Sequence, residues 1–308
     1  MNAPRSITEY LEQLRAALRG ADPALVQDAL YDAEEHLRAE LHERPGCSEA
    51  DMLAQVVGSY GAPDEVADIY RDQEIRIQRA LRPPPPKKRR SLVGRFFGVA
   101  ADLRTYGALF YMLLALASGT FYFSWAVTGM SMSVGLLVLI IGIPFLVLFL
   151  GSVRGLSLLE GRIVETLLGV RMPRRPPYTV KLGQSWLQRI GAMFTDGRTW
   201  GTLLYMLLML PLGIAYFTIA VTPLSVAAGM IVFPLALLFH RNWLQAAYVD
   251  HRIQIDWGFG AHVPGWAEVA VIFVLGVLLL FVTLHLVRGL GWLHGQLAKN
   301  LLVRSGGE

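Results

Sequence analysis

Cysteine is almost absent from this sequence. Cys47 is the only cysteine among 308 residues, so the chain cannot form an intrachain disulfide and has no Cys-x-x-Cys or Cys/His zinc pattern. We also expect no secretory signal peptide, because charged, helix-forming sequence begins at the N-terminus in place of an apolar segment. These absences exclude a disulfide-rich secreted fold and a zinc module.

Charged residues are scarce as well. They make up 17% of the chain, against about 25% in ordinary soluble domains, while hydrophobic residues reach 54%. Residues 1–82 hold 9 Lys/Arg and 16 Asp/Glu, whereas residues 91–308 hold 15 and 8. The net charge of +4 does not indicate direct nucleic-acid binding, because the basic excess lies beside apolar stretches. We therefore expect an acidic cytosolic domain joined to a membrane domain.

Helix-start signals divide the acidic region into four short amphipathic helices. Ser6 and Glu9 form a capping box at the first helix. Asp22 and Ser48 are N-cap residues for the second and third helices, and the breaker Gly61-Ala62-Pro63 precedes the fourth. Four such helices over about 80 residues predict a small all-α bundle with one shared core.

The acidic region, residues 1–82, carries a set of motif residues: Tyr10-Leu11, Leu14, Leu18, Asp32-Ala33-Glu34-Glu35-His36, Gly61-Ala62-Pro63 and Val66-Ala67. In these residues it resembles the HAAS signalling domain found at the N-terminus of many bacterial membrane proteins. Families with this domain often sit beside PadR-type transcription regulators. The resemblance thus implies a cytosolic regulatory protein, such as a PadR-type regulator, or a histidine kinase as the partner.

Asp32, Glu35 and His36 are the candidate partner-binding residues of the bundle. Asp32 and His36 share a helix face, which would also suit a metal ion. No HExxH motif and no second group of ligands accompanies them. A solvated acidic face is therefore the favoured interpretation.

A Pro-rich, polybasic linker follows at residues 83–91. Its four prolines predict a polyproline II spacer. Its four basic residues stand directly before an apolar stretch, so we expect them to bind anionic lipid headgroups with about 1 kcal/mol per basic residue. The candidate lipid contacts are Lys87, Lys88, Arg89, Arg90, Arg104 and Arg198.

The membrane region, residues 92–304, contains a predicted duplication. Residues 102–128 recur at an offset of 94, with 16 of 27 positions identical, including Asp-x-Arg-Thr. Val-Arg-Gly-Leu also occurs twice, near the end of each copy. We predict two parallel repeats, residues 92–170 and 186–304.

Four stretches are long and apolar enough to cross a bilayer: 107–128, 134–153, 201–222 and 266–287. A shorter, Pro-interrupted stretch at 224–239 leaves a fifth crossing open. Basic residues outnumber acidic ones by 8 to 3 in residues 154–200, which indicates a cytosolic connection. We predict a multi-pass protein of the cell (inner) membrane with four crossings and both termini in the cytosol. Residues 224–239 would then dip into the membrane or lie at its outer face.

Amphipathic patterns at residues 153–170 and 184–194 predict two helices in the headgroup layer. His285 lies inside the last predicted crossing, three positions before Arg288, which places it near the cytosolic surface. The predicted crossings contain almost no buried charge.

The longer second repeat contains a polar segment unlike the rest of the membrane region. Its candidate signal-sensing residues are His240, Trp243, Asp250, His251, Asp256, Trp257 and His262. Their spacing fits no standard metal pattern, and the tryptophans are interpreted as interface anchors. No metal or other cofactor is predicted.

The membrane region contains the motifs Asp-x-Arg-Thr-[Tyr/Trp], Gly142-Ile143-Pro144 and Val-Arg-Gly-Leu. In these motifs it resembles the sensor domain of bacterial membrane signalling proteins. In relatives this domain is often fused to a histidine kinase, but this chain has no nucleotide-binding module or phosphoacceptor helix. The resemblance therefore implies a sensor without its own kinase.

No arrangement of catalytic side chains is apparent in the sequence. We predict a non-enzymatic membrane sensor that passes a signal to a cytosolic partner through the N-terminal bundle. The alternative is a small transporter or an accessory subunit of one. Because charge within the crossings is so scarce, a transporter would need a homo-oligomer to form a polar pathway. A membrane enzyme is the third option.

Overall fold

The computed structural model describes residues 3–44, 46–81, 91–137, 142–173, 197–239 and 254–303, except 255, 257 and 259. The secondary-structure elements of this part are all helices, which confirms the all-α prediction. The chain divides into two compact units. The first comprises residues 1–86, 122–208 and 294–308, and the second comprises residues 87–121 and 209–293.

Four helices of the first unit form the predicted N-terminal bundle. They are α1 (Ile7–Ala17), α2 (Pro23–Glu43), α3 (Glu49–Tyr60) and α4 (Pro63–Leu81). The predicted caps are confirmed, because the side chains of Ser6, Asp22 and Ser48 each accept a hydrogen bond from a backbone amide two or three residues later. The capping box is incomplete, since the Glu9 carboxylate accepts from the amide of Arg5 at 2.8 Å and not from that of Ser6.

The bundle has a closed apolar core. Its fully buried side chains include Leu14, Leu37, Met52 and Leu53, and burying each stabilises the fold by roughly 1.5–3 kcal/mol. Tyr10 is also fully buried, and its hydroxyl donates to the carbonyl of Gly61 at 2.9 Å. Gly61 has φ 109°, a left-handed conformation that favours glycine. Gly61 therefore allows the turn between α3 and α4, and the hydrogen bond from Tyr10 stabilises that turn.

Four further helices are long and apolar enough to cross a membrane, judged by length and composition. They are α6 (Leu103–Leu136), α7 (Gly142–Leu168), α8 (Gly197–Phe239) and α9 (Trp266–Leu302), and a short helix α5 (Leu92–Phe97) precedes them. The prediction of four membrane-capable helices is confirmed within the described residues. Each is longer than the roughly 20 residues that a bilayer requires.

Three predicted interruptions are wrong. Residues 129–133 continue α6, and residues 153–168 continue α7, so no separate headgroup helix begins at 153. Residues 224–239 continue α8, although this helix contains Pro211, Pro223 and Pro234. A proline removes one backbone hydrogen bond, but membrane helices tolerate this where neighbouring groups satisfy the freed carbonyl. The predicted helix at 184–194 lies outside the described residues.

In the second unit, α6 and α8 meet backbone to backbone at two glycines. A Cβ added to Gly119 would lie 2.3 Å from the carbonyl oxygen of Met209, and one added to Gly213 would lie 2.3 Å from that of Ala115. Each glycine therefore meets the residue four positions before the other glycine. In the predicted duplication, Gly119 corresponds to Gly213 and Ala115 corresponds to Met209. The duplication itself remains a prediction.

Candidate functional site

Most of the sequence-predicted sensing and linker residues lie outside the described residues. These are His240, Trp243, Asp250, His251, Trp257, Lys87, Lys88, Arg89 and Arg90. Only Asp256 and His262 of the sensing set belong to the described part.

Asp256 and His262 take part in different local contacts. Asp256 Oδ1 accepts hydrogen bonds from the amides of Gly258 and Gly260, at 2.7 and 3.2 Å. His262 Nε2 lies 2.9 Å from Glu268 Oε1 at the start of α9. The hydrogen bond with Glu268, and then that with the Gly260 carbonyl, raise the pKa of His262. Within the described residues, no group of three or more His, Cys, Asp or Glu side chains could hold a metal ion.

The three candidate residues of the bundle have separate surroundings. The Tyr70 hydroxyl donates to Asp32 at 3.1 Å, and the His36 ring stacks on Tyr60 with 4.4 Å between centroids. Asp32 and His36 are half-buried, and Glu35 is exposed. The predicted solvated acidic face therefore applies to Glu35 alone, because packing against the tyrosines of α3 and α4 partly covers the other two.

Two of the arginines predicted to contact lipid, Arg104 and Arg198, lie at helix starts. Asp102 caps α6 through the amide of Arg104, at 3.1 Å, and its carboxylate also pairs with Arg288 at 2.9 Å. Arg198, at the start of α8, donates to Gln27 of the bundle at 2.6 Å. The structure therefore gives Arg198 a protein partner. His285 is exposed, and its Nε2 lies 3.0 Å from the carbonyl oxygen of Phe96.

A buried ion cluster centred on Arg171 was missed by the sequence analysis. The guanidinium group of Arg171, just beyond α7, contacts three carboxylates, each within 3.2 Å: Asp28 of α2, Glu74 of α4 and Glu165 of α7. It also donates to the carbonyl of Met172 at 2.9 Å. The side chain of Arg171 is 10% exposed and those of the carboxylates are each 8% exposed. One cation thus joins two bundle helices to α7.

The electrostatics of this cluster favour the charged guanidinium. Burial lowers the pKa of Arg171, but Glu74, Asp28 and Glu165 together raise it by more, so the net shift is upward. A planar guanidinium presents five donors in a fixed arrangement and can therefore satisfy several carboxylates at once. A lysine at this position could carry the charge but could not reproduce the geometry.

Two further basic residues contact the same side of the bundle. Lys299 of α9 pairs with Asp22 at 2.5 Å, and Arg198 of α8 donates to Gln27. We define the acidic docking face as Asp22, Gln27, Asp28 and Glu74. This face meets basic residues from α8, α9 and the segment after α7.

A second group of polar side chains is buried among the membrane helices of the first unit. Tyr122 of α6 and Tyr205 of α8 donate to the two oxygens of Glu160 of α7, at 3.0 and 2.7 Å. Tyr205 also lies 3.0 Å from Nε2 of His294 of α9. Their exposed fractions are at most 3%. We call these four residues the buried polar cluster.

Glu160 of the buried polar cluster lies beyond the predicted crossing 134–153, because α7 continues to Leu168. Glu160 lies at helical spacing from Val153 and Val164, both of which have no exposed surface. That spacing was readable in the sequence as a carboxylate on an apolar face. It was missed because residues 153–170 were assigned to the headgroup layer, where a carboxylate is unremarkable.

Comparisons with known proteins match two parts of the chain. The sequence profile described as "Putative sensor" matches residues 111–302, and the HAAS profile matches residues 9–68. The first match covers more than half of the chain and includes the buried polar cluster. Searches of the curated proteins and of the solved structures find no match.

Proposed function

Because the chain belongs to the Sensor family and carries an N-terminal HAAS domain, we propose that it is a membrane signalling protein without catalytic activity of its own. It detects a change within or beyond the membrane and passes it to a cytosolic regulatory protein through the N-terminal bundle. Both termini lie in the cytosol, in keeping with the excess of basic residues between α7 and α8.

The observation that carries this proposal is the contact of Arg171 with two bundle helices and α7. Asp28 and Glu74 belong to the bundle, and Glu165 belongs to a membrane helix. Removing one member of a buried ion pair costs roughly 3–5 kcal/mol, because the remaining charges lose their partner. A displacement of the end of α7 that breaks these ion pairs would therefore cause a large change in the free energy with which the bundle binds α7.

Signalling then requires two states of the bundle. In one state Arg171, Arg198 and Lys299 occupy the acidic docking face, and in the other state that face is open to a cytosolic protein. A signal shifts the population between the two states only by the difference in its affinity for them. The partner is a PadR-type regulator or a histidine kinase, as the HAAS resemblance suggests.

The experiment measures bundle docking in the full-length protein. Cys47, the only cysteine, lies between α2 and α3 and carries a donor dye, while the acceptor is placed on lipid headgroups in nanodiscs. Arg171→Gln should change the energy-transfer efficiency by releasing the bundle. Arg162→Gln is the matched control, because Arg162 also pairs with Glu165 but is 48% exposed.

An unchanged transfer efficiency in Arg171→Gln, with correct membrane insertion, would contradict the docking step. The signalling role itself is tested by transcription of a reporter under the cytosolic regulator. Deleting residues 1–82 should abolish the response, and a reporter that responds normally without them would overturn the proposal.

The alternative function, a small transporter or an accessory subunit, draws support from the buried polar cluster. Polar side chains from four membrane helices converge there, and such convergence also occurs along substrate pathways. Solute flux into proteoliposomes that hold only this protein, lost in Glu160→Gln, would favour the transporter over the signalling role.

A further inference from the structure

We propose that Tyr122, Glu160, Tyr205 and His294 form a proton-binding site in which the Tyr205 hydroxyl links the Glu160 carboxylate to the His294 imidazole. The proposal goes beyond the signalling function and does not depend on it. Each membrane helix of the first unit contributes one of these residues. A proton is a ligand that needs no space beyond the hydrogen bonds themselves, which suits side chains that are at most 3% exposed.

The inference rests on counting protons at Tyr205. Its oxygen lies 2.7 Å from Glu160 Oε1 and 3.0 Å from His294 Nε2, but its hydroxyl carries only one proton. When Tyr205 donates to an ionised Glu160, its oxygen accepts the Nε2 proton of His294. When Tyr205 donates to His294, Nε2 is unprotonated and Glu160 carries a proton on Oε1. In these two arrangements, the protonation state of Glu160 determines the tautomer of His294, so the two change together.

Binding one proton converts the first arrangement into the second. The incoming proton adds to Nδ1 of His294, the Nε2 proton passes to the Tyr205 oxygen, and the original Tyr205 proton passes to Glu160 Oε1. The charge of the cluster rises by one, no electron moves, and all heavy atoms keep their positions. Tyr122 donates to the other oxygen of Glu160 in both arrangements.

The described polar contacts of Glu160 involve the three other membrane helices of the first unit. Tyr122 comes from α6, Tyr205 from α8 and His294, through Tyr205, from α9. After α7, Met172 packs against Gly161 and presents an apolar side chain.

On α7 itself, the charged residues nearest to Glu160 in sequence are Arg154, Arg162 and Glu165. Arg162 and Glu165 pair with each other at 3.3 Å. Phenol and imidazole groups are thus the proton-carrying partners that the described contacts bring to this carboxylate.

The test measures the protonation of Glu160 and the tautomer of His294 over a series of pH values, with the full-length protein in nanodiscs. Infrared difference spectra report the C=O stretch of a protonated carboxylic acid, assigned to Glu160 by its loss in Glu160→Gln. Nitrogen NMR of labelled histidine reports the tautomer of His294, assigned by its loss in His294→Gln. In the natural sequence, the Glu160 band should appear at the same pH at which His294 changes from the Nε2–H to the Nδ1–H tautomer.

Tyr205→Phe and Tyr122→Phe are the matched variants, since each removes one hydroxyl group that donates a hydrogen bond to Glu160. Tyr205→Phe should abolish the link, so that the Glu160 band appears without a change in the His294 tautomer. Tyr122→Phe should keep the two changes together.

These two variants retain the aromatic ring, and where Glu160→Gln fails to fold, the shift of the carboxylic acid band in Tyr122→Phe, which removes one hydrogen bond to Glu160, assigns the band instead. Three outcomes would overturn the proposal: no carboxylic acid band at any pH, a His294 tautomer that never changes, or a link that survives in Tyr205→Phe.

Discussion

The N-terminal bundle and the membrane helices distribute their side chains in opposite ways. In the bundle, Leu14 and Leu37 have no exposed surface, and the exposed positions are largely polar. On α7, Leu159 is 54% exposed, while the next residue, Glu160, is 2% exposed. The bundle thus encloses its apolar residues, and the membrane helices of the first unit enclose polar ones.

This contrast shows that two different interactions stabilise one chain. Water drives the leucines of the bundle into its core. Lipid is as apolar as leucine, so membrane helices associate through close packing and hydrogen bonds between polar side chains. Gly119 and Gly213 supply such packing in the second unit, and the buried polar cluster supplies such hydrogen bonds in the first.

The largest effect on stability is expected in the bundle core. Leu37→Ala removes a side chain with no exposed surface and should lower the stability of the bundle by roughly 2–5 kcal/mol. Leu148 of α7 is 71% exposed, so Leu148→Ala should leave the stability of the protein in micelles nearly unchanged. Hydrogen exchange of the α1 and α2 amides measures the first effect. Equal losses in the two variants would show that the contrast is false.

A medium effect is expected where α6 and α8 meet. Gly213→Ala places a Cβ against a backbone carbonyl that cannot rotate away, and such overpacking costs roughly 1–3 kcal/mol. Gly229→Ala, on the same helix, is the control because nothing lies within 4 Å of its Cβ position. Thermal unfolding in detergent should separate the two variants. Identical melting temperatures would show that close packing at Gly213 does not stabilise the contact between α6 and α8.

The sequence predicted the bundle well because local signals there agree with one another. Side-chain caps, breakers and helical spacing all placed the same four helices, and the caps at Ser6, Asp22 and Ser48 are present. The ends of the membrane helices were predicted less well. A continuous apolar sequence offers no polar residue at which to end a helix, so α6 and α8 extend past their predicted limits.

The candidate sites could not be predicted from local sequence because they join distant residues. Arg171 meets Asp28 and Glu74, which are 143 and 97 positions away. Spacing rules act within one helix and cannot indicate such a pairing. Glu160 differs in that its helical spacing from Val153 and Val164 indicates a carboxylate on an apolar face, but that spacing does not identify its partners on α6, α8 and α9.

A smaller effect on stability is expected at the helix ends of the bundle, where polar groups are exposed. The Ser48 hydroxyl oxygen accepts a hydrogen bond from the amide of Asp51 at 3.2 Å. Ser48→Ala removes this α3 cap and should lower the stability of the bundle by about 1 kcal/mol. Ser59→Ala is the control, because the Ser59 hydroxyl only donates to the carbonyl of Val56 within the same helix. The α3 amides should exchange faster in the first variant alone. Equal exchange would mean that core packing alone fixes the start of α3.

The smallest effect contrasts two histidines, one exposed and one buried. His294 is 1% exposed, whereas the side chain of His262 is 45% exposed and lies 2.9 Å from Glu268. Since its pKa is raised, mainly by the hydrogen bond with Glu268, His262 should keep its proton to higher pH than an ordinary histidine. The stabilisation from this pair is complete below the unfolded-state pKa and is lost as pH rises through the folded-state pKa.

Glu268→Gln should therefore lower the pKa of His262 toward its ordinary value, as followed by NMR titration of the full-length protein. Because both partners of this pair are exposed, added salt should lower the pKa in the natural sequence by screening the pair over a Debye length of about 8 Å at physiological ionic strength. The His294 signal should not respond to Glu268→Gln, since His294 is buried and lies 26 residues further along α9. A titration of His262 that is insensitive to both salt and Glu268→Gln would show that its pKa is set elsewhere than at the exposed pair.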